Sequence, residues 1–248
     1  MSEYDRIGRT YARTRRPDPR IARQIADALG DARSVVNVGA GAGAYEPRDR
    51  DVVAVEPSSV MLRQRAFDAA PAVQGSAEDI PFADGSFDAA LAVLTMHHWG
   101  EWRAGVAEMR RVARHRIVML TFDPEYISRY WLVRDYLPEI AVLDEKRFPP
   151  LELVAEALGG AQATPVPIGA DCTDGFLCAA WMRPLSYIDE TVRANISSFS
   201  PLDPDTVAAA LARLERDVAD GTWAERNAEL IGRDEADFGY RLLVAELP

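Results

Sequence analysis

A short apolar run, Val35-Val36-Asn37-Val38, leads directly into Gly39-Ala40-Gly41-Ala42-Gly43, and a second run, Val52-Val53-Ala54-Val55, ends on Glu56. Each apolar run reads as a buried strand. The glycines between them let backbone amides approach a ligand where a Cβ would collide. Glu56 stands 17 residues after Gly39. In a βαβ unit that spacing puts a carboxylate beside the same crevice, where it can accept hydrogen bonds from both hydroxyls of a ribose. The first quarter of the chain thus describes a nucleoside site on an α/β sheet.

The dinucleotide fingerprint G-x-G-x-x-G is not met. Its sixth place is Ala44, and the third glycine comes one residue early, at Gly43. G-x-G-x-G followed by an acid closing the second strand resembles the first two motifs of class I S-adenosylmethionine (SAM)-dependent methyltransferases. Three further blocks follow in order. Ser76-Ala77-Glu78-Asp79-Ile80-Pro81-Phe82, Asp84-Gly85-Ser86-Phe87-Asp88 and Leu91 through Trp99 resemble the "GDAExLPFxDxSFDxVxxxxxLHHW" run of the type 11 methyltransferase family. The resemblance covers residues 1–122 with specific motifs and 123–248 more loosely. It implies a doubly wound, Rossmann-like seven-stranded sheet with an inserted helical cap, SAM as cofactor, and methyl transfer to a small-molecule acceptor at O, N or C. Two other classes stay open beside it: a SAM-binding protein without methyl transfer (a cyclase or a binding-only protein), and an NAD-dependent oxidoreductase. Ala44 and the SAEDIPF block argue against the second.

The cofactor handles are assignable residue by residue. Gly39, Ala40, Gly41 and Gly43 bring backbone against the methionine moiety and ribose, and Glu56 takes the ribose diol. Pro57 and Ser58 follow it, and Met61 on the first helical turn offers an apolar cover for adenine. Ala77 and Glu78 face the adenine edge. The resemblance expects Asp where this chain has Ser76, so that contact weakens, is mediated by water, or moves to Glu78. It also expects an acid where Asn37 stands; Asn still accepts through its carbonyl oxygen but lacks the charge. In such enzymes a backbone carbonyl at the end of strand four, here Leu94, receives the methionine ammonium. The stretch YDRIGRTYARTRRP, Tyr4 through Pro17, resembles the family's leading arm, with Tyr11 and Arg15 or Arg16 facing the carboxylate; a solvated helix start is the plainer alternative.

His97 and His98 follow strand four on the loop facing the transferable methyl. The sulfonium is already activated, so the enzyme mainly aligns nucleophile, methyl and sulfur. A base matters when the nucleophile is a hydroxyl or acidic carbon, and histidine suits that role. A structural role, packing on Trp99, is the alternative. No third ligand is spaced for a metal, so none is expected.

Composition narrows the partners. The 248 residues carry a net charge of −11, the wrong sign for gathering phosphate backbones, so a small molecule is expected rather than nucleic acid. Of 28 basic residues, Lys146 is the single lysine. The two cysteines, Cys172 and Cys178, lack CxxC spacing, and no apolar stretch of about 20 residues occurs, so a cytoplasmic protein without a membrane partner is expected.

Periodicity predicts strands at 35–38, 52–56, 72–75, 88–94 and 116–121, with helices at 19–29, 43–48, 59–69 and 101–113. Sequential β-then-α elements need right-handed crossovers and a parallel sheet. We expect one domain over 1–248: an arm at 1–18, a SAM-binding core at 19–122, a lid helix region at 123–148, strand six and a helical cap at 149–225, and a last strand at 237–246. Within it, a crossover helix is expected at 149–158, strand six at 162–168, and helical stretches at 174–182, 187–199 and 204–219. The family resemblance places the last strand antiparallel beside strand six. Residues 123–140 and 173–225 should jointly cover the substrate, through Tyr126, Tyr130, Trp131 and Tyr136 in one and Phe176, Trp181, Tyr187 and Phe199 in the other. Arg129 and Asp171 would add polar specificity, although core aromatics and surface charges are the plainer readings. Residues 173–225 also suit a dimer arm, so monomer and homodimer both stay open.

Overall fold

The computed structural model describes residues 15–248; Tyr11 and most of the expected arm lie outside them. The first described helix, α1 (Pro19–Ala28), starts where its sequence says it should. Asp18 accepts from the Arg20 amide as N-cap, Pro19 occupies the first turn, and Ile21 and Ile25 point into the core. Gly30, at φ +56°, ends it.

Strands β1 (Ser34–Val38) and β2 (Asp51–Glu56) follow, then a one-turn helix α2 (Ser59–Leu62), β3 (Ala72–Gln74), β4 (Phe87–Val93), α3 (Trp102–Val112) and β5 (Ala113–Phe122). Beyond β5 come α4 (Trp131–Asp135), α5 (Glu139–Arg147), α6 (Leu151–Ala157), β6 (Gln162–Pro165) and β7 (Ile168–Gly169). Helices α7 (Glu190–Arg193), α8 (Pro204–Ala219) and α9 (Thr222–Arg226) lead to β8 (Glu235–Ala236) and β9 (Tyr240–Glu246).

The main sheet has seven strands in the order β3-β2-β1-β4-β5-β9-β6. The first five run parallel, and β9 inserts antiparallel between β5 and β6. This is the doubly wound sheet the motifs imply, with its reversed last strand. Period two sorts side chains to its two faces. Val35, Leu91, Val118 and Leu120 join α1 and the helical elements of the second half in one core. Val36, Val38, Ala90, Ala92, Ile117 and Met119 pack against Val106, Met109 and Val112 of α3 and Val154 of α6 in the other.

Several expected elements come out shorter. Residues 43–48 form turns and no helix, and the helix expected at 59–69 ends at Leu62. The stretch 123–140 splits into a 3₁₀ turn (Pro124–Arg129) and two short helices, and strand six stops at Pro165. Ile168–Gly169 instead pairs with β8. Between β7 and α8 the chain makes only short 3₁₀ turns, at Leu177–Ala180, Pro184–Ile188 and Ser197–Phe199, and the one-turn α7, joined by irregular segments. Proline and serine there leave too few consecutive helix-forming residues for a full helix.

Asp18 reaches beyond its own helix. Besides capping α1 it pairs with Arg20 at 2.7 Å and accepts from the Thr173 amide at 3.3 Å. Arg20 and the backbone amides hold its carboxyl down at about 2. Its benefit is therefore present above the ordinary carboxylate range and is lost as pH falls toward 2. Asp18→Ala should cost about 1–2 kcal/mol in urea unfolding at pH 7. Asp18→Asn, which keeps the cap and loses the charge, should fall between it and wild type.

Candidate active site

The carboxyl ends of β1, β2 and β4 surround a cleft of about 810 Å³. Val55 O accepts from the amides of Gly39 (2.8 Å) and Ala40 (3.1 Å), which fixes the turn leaving β1. Gly39 has φ +67°, and a Cβ on it would lie 2.0 Å from Thr95 Oγ1. No other residue fits. Glu56 closes the opposite side: one carboxylate oxygen accepts from Gly41 N and the other from Ser58 N, each at 2.8 Å. Glu56 is 4 % exposed. Its carboxylate is thus locked by backbone while still lining the cleft.

Most expected cofactor residues meet here. Asn37, Gly39, Ala40, Gly41, Glu56, Pro57, Met61, Ser76, Ala77, Glu78 and Leu94 all line the cleft. Glu78 also accepts from Gly100 N at 2.8 Å, so it steadies the approach to α3. Two buried polar atoms on cleft-lining residues have no partner among the described residues: Asn37 Oδ1 and Trp99 Nε1. Asn37 Nδ2 donates to Glu46 at 3.2 Å, which orients the orphan acceptor. A buried acceptor and a buried donor left open beside a glycine turn suit a ligand carrying both complements.

Three expected contacts are corrected. Gly43, at φ +93°, lies away from this cleft, where a Cβ would come 3.1 Å from Glu46 Oε2 and 3.3 Å from Arg65 Nη1. It makes room for the buried Glu46–Arg65 pair (2.8 Å) rather than for a ligand. Ser58 is fully buried and caps α2 through Met61 N. Arg16 is exposed and does not line the cleft. Arg15 does line it, but its guanidinium is bound to both oxygens of Asp174, at 2.6 and 3.1 Å.

A second cavity, of about 530 Å³, adjoins the first. Arg15 and Leu94 line both. Leu94 adopts φ +49°, a left-handed conformation costly for a branched residue, directly after β4. The second cavity is walled by Phe122, Ile127, Phe148, Phe176, Leu177, Ile196 and Tyr240, with His97, Asp144 and Asn195 among them. The two histidines therefore part. His97 stacks on Phe148 (4.6 Å, 26°) in the second cavity, whereas His98, its ring 3.9 Å from that of His97, opens into the cleft. Burial holds the His97 pKa well below the usual histidine range, with neighbouring His98 adding to it, so its ring is neutral at pH 7.

Of the aromatics assigned to substrate, Phe176 lines the second cavity, whereas the three large rings Tyr130, Trp131 and Trp181 are core. Tyr130, Trp131 and Trp181 are at most 1 % exposed and line neither cavity. Trp131 Nε1 donates to Trp181 O at 3.0 Å, Trp181 Nε1 to Ile168 O at 3.0 Å, and the Tyr130 and Tyr187 hydroxyls meet at 2.5 Å. They bolt the two coverings together. Arg129 is exposed over the Tyr126 ring, and Asp171 is a surface partner of Arg20. Missed altogether was Asp144. It sits four residues after Ile140 and four before Phe148, so a charge on that apolar stripe was the signal.

Comparison with known proteins agrees with this geometry. A family model described as a methyltransferase domain, of type 11, matches residues 36–119. A protein described as a methyltransferase from an antibiotic biosynthesis pathway of Anabaena variabilis is 34% identical, with a TM-score of 0.86, over 94% of this chain and 99% of that one. The chain belongs to the class I, type 11 SAM-dependent methyltransferases. Its cofactor is SAM. Among curated relatives, the uncharacterized methyltransferase YcgJ of Bacillus subtilis is 30% identical over 45% of this chain and 44% of its own length. Rv3342 of Mycobacterium tuberculosis is 39% identical over 34% of this chain and 36% of its own. The matches thus span less than half of those relatives. The [4+2]-cyclase SpnF shares the fold, with a TM-score of 0.54 at 17% identity. No helix of the described residues is long and apolar enough to cross a membrane, and no group of three metal-binding side chains occurs among them.

Asp144 gives this methyltransferase a pH signature. It is 3 % exposed, and burial pushes its carboxyl up to about 7. The folded state therefore binds a proton that the unfolded chain has released above its ordinary pKa of 3.8. Stability from this group is full below that value and is lost as pH rises through about 7. The gap corresponds to roughly 4 kcal/mol at most. Asp144→Asn should consequently gain about 2 kcal/mol or more over wild type in urea unfolding at pH 8, compared with its difference at pH 5.

Proposed function

We propose that this methyltransferase transfers the SAM methyl to a small-molecule acceptor by in-line displacement at the methyl carbon, beside Leu94. The observation that carries the reading is the meeting of two unlike cavities at the carboxyl ends of the strands. One is built from backbone turns and hydrogen-bonding groups, the other from aromatic walls, and both border Leu94 and Arg15. The cofactor supplies a methyl already activated as a sulfonium. What remains for the chain is to bind, align and exclude water.

In this reading Glu56 accepts from the ribose hydroxyls, held to its task by Gly41 N and Ser58 N. Met61, buried on the first turn of α2, covers the adenine face, with Ser76, Ala77 and Glu78 at its edge. Asn37 Oδ1 and the Leu94 carbonyl serve the methionine ammonium. Arg15 borders the carboxylate with its guanidinium already engaged by Asp174. His97 keeps a neutral ring in the acceptor cavity and offers a nitrogen to a protic acceptor, while His98 belongs to the cofactor side. Residues 123–148 and 173–225 supply the cover that an open α/β sheet lacks beyond its strand ends.

Calorimetry on cofactor-stripped protein tests this. SAM and S-adenosylhomocysteine should bind and NADH should give no heat. SAM at about 100 times its dissociation constant should stabilise the fold by roughly 2.7 kcal/mol. Glu56→Ala should lose about one to two decades of SAM affinity. Saturable NADH binding, or unchanged SAM affinity in the variant, would refute the cofactor half of the reading.

A further inference from the structure

Asp144 is a carboxyl without an explained purpose. It faces the second cavity, whose wall is aromatic and aliphatic on one part and carries His97, Asn195, Ser197 and Ser198 on another, and its Oδ1 has no hydrogen-bond partner among the described residues. Removing such an oxygen from water without replacing its bonds costs stability. The neighbouring Arg147 relieves only part of that cost, because the carboxyl still sits far above the ordinary carboxylate range.

The surrounding walls say what would satisfy it. Phe122 meets Phe148 edge-on at 5.5 Å and Tyr240 at 5.2 Å, and Phe176 lies 4.7 Å from Tyr240. Aromatic faces carry negative potential and attract cations, most strongly where water is excluded. A buried carboxyl inside aromatic walls is complementary to an ammonium with apolar substituents. In its ionised form, populated as pH rises through about 7, it repels carboxylate and phosphate. Arg15, the cation that could have held an acidic acceptor, is engaged by both oxygens of Asp174.

Resting on the acceptor-cavity reading above, we propose that the acceptor is a small arylalkyl or alkyl amine, seated with its nitrogen on Asp144 and its carbon skeleton against Phe122, Phe148, Phe176 and Tyr240. An amine arrives largely as its ammonium, which has no lone pair to offer. An N–H bond of the ammonium breaks and an O–H bond forms on the Asp144 carboxylate, leaving the nitrogen neutral with a free electron pair. That pair is the nucleophile: an N–C bond to the methyl forms as the methyl–sulfur bond breaks, and the electron pair of that bond stays on the sulfur of S-adenosylhomocysteine. The proton held on Asp144 returns to solvent when the methylated ammonium leaves.

Three near-isosteric probes separate this from other acceptor classes: 2-phenylethylamine, 2-phenylethanol and 3-phenylpropionate, with benzylamine and tryptamine extending the amine range. Each is titrated calorimetrically into wild type, Asp144→Asn and Asp144→Ser, all saturated with S-adenosylhomocysteine. At least one amine should bind wild type tenfold or more tightly than the alcohol and the acid, and both variants should lose that preference while keeping their S-adenosylhomocysteine affinity. Retained cofactor affinity also shows that the variants are folded. The proposal is overturned if no amine binds, if the alcohol or the acid binds as well as the amine, or if both variants keep the amine affinity. Absence of heat from S-adenosylhomocysteine itself would instead bring down the cofactor reading on which this one rests.

Discussion

The ion pair between Arg15 and Asp174 is the constraint around which both cavities are arranged. Its partners are 8 % and 0 % exposed, and a third group, the Tyr45 hydroxyl, donates to Asp174 at 2.8 Å. Each comes from a different part of the chain: the segment before α1, the loop after the glycine turn, and the covering that follows β7. A buried pair pays heavily for desolvation, and its worth lies in geometry more than in net stability. Removing either partner would strand the other charge beside both cavities. Burial and the adjacent Asp174 charge keep the Tyr45 phenol protonated, raising it above its ordinary range. The trio therefore acts as a fixed corner post. It holds the cover in register with the glycine turn, and it neutralises the cation that borders the cofactor and acceptor cavities alike.

The cofactor half was legible in the sequence because it is built from backbone. Gly39 needs φ > 0 and space beside Thr95, Glu56 needs the end of β2, and both demands fall on single positions at short spacing. Strand runs such as Val35–Val38 carry their own signal, being buried on both faces. Gly43 shows the limit of this logic. The same residue type in the same loop answers to the Glu46–Arg65 pair on another side, and nothing local distinguishes a glycine that admits a ligand from one that admits a guanidinium.

The acceptor half was read less well because side chains from seven separated segments build it, from Arg15 to Tyr240. Tyr130, Trp131 and Trp181 drew attention as large aromatics, yet size is what makes them core: each buries its ring and satisfies its one polar atom within the cover. Of the four aromatics that do line the cavity, Phe176 lies in the covering after β7, while Phe122, Phe148 and Tyr240 sit at the end of β5, just after α5 and at the start of β9. Their convergence depends on β9 inserting beside β5, a long-range fact. Asp144 was missed because helix α5 is short and mixed in character, so one acid on its inner stripe does not stand out from Asp and Glu on the outer one.

Adjacent residues with opposite surroundings complete the picture. His97 and His98 lie in one 3₁₀ turn, where successive side chains diverge by about a third of a revolution, so a single turn after β4 serves both cavities. The left-handed Leu94 begins that divergence, and its strained backbone is held by the Leu94 amide donating to Leu120 O at 2.8 Å. A strand that simply continued would carry the two histidines to opposite faces of the sheet, one of them away from the ligands. Ending β4 in a left-handed residue and a tight turn keeps both at the strand end. The strain at Leu94 thus falls where, together with Arg15, the nucleoside cleft and the aromatic cavity share their lining.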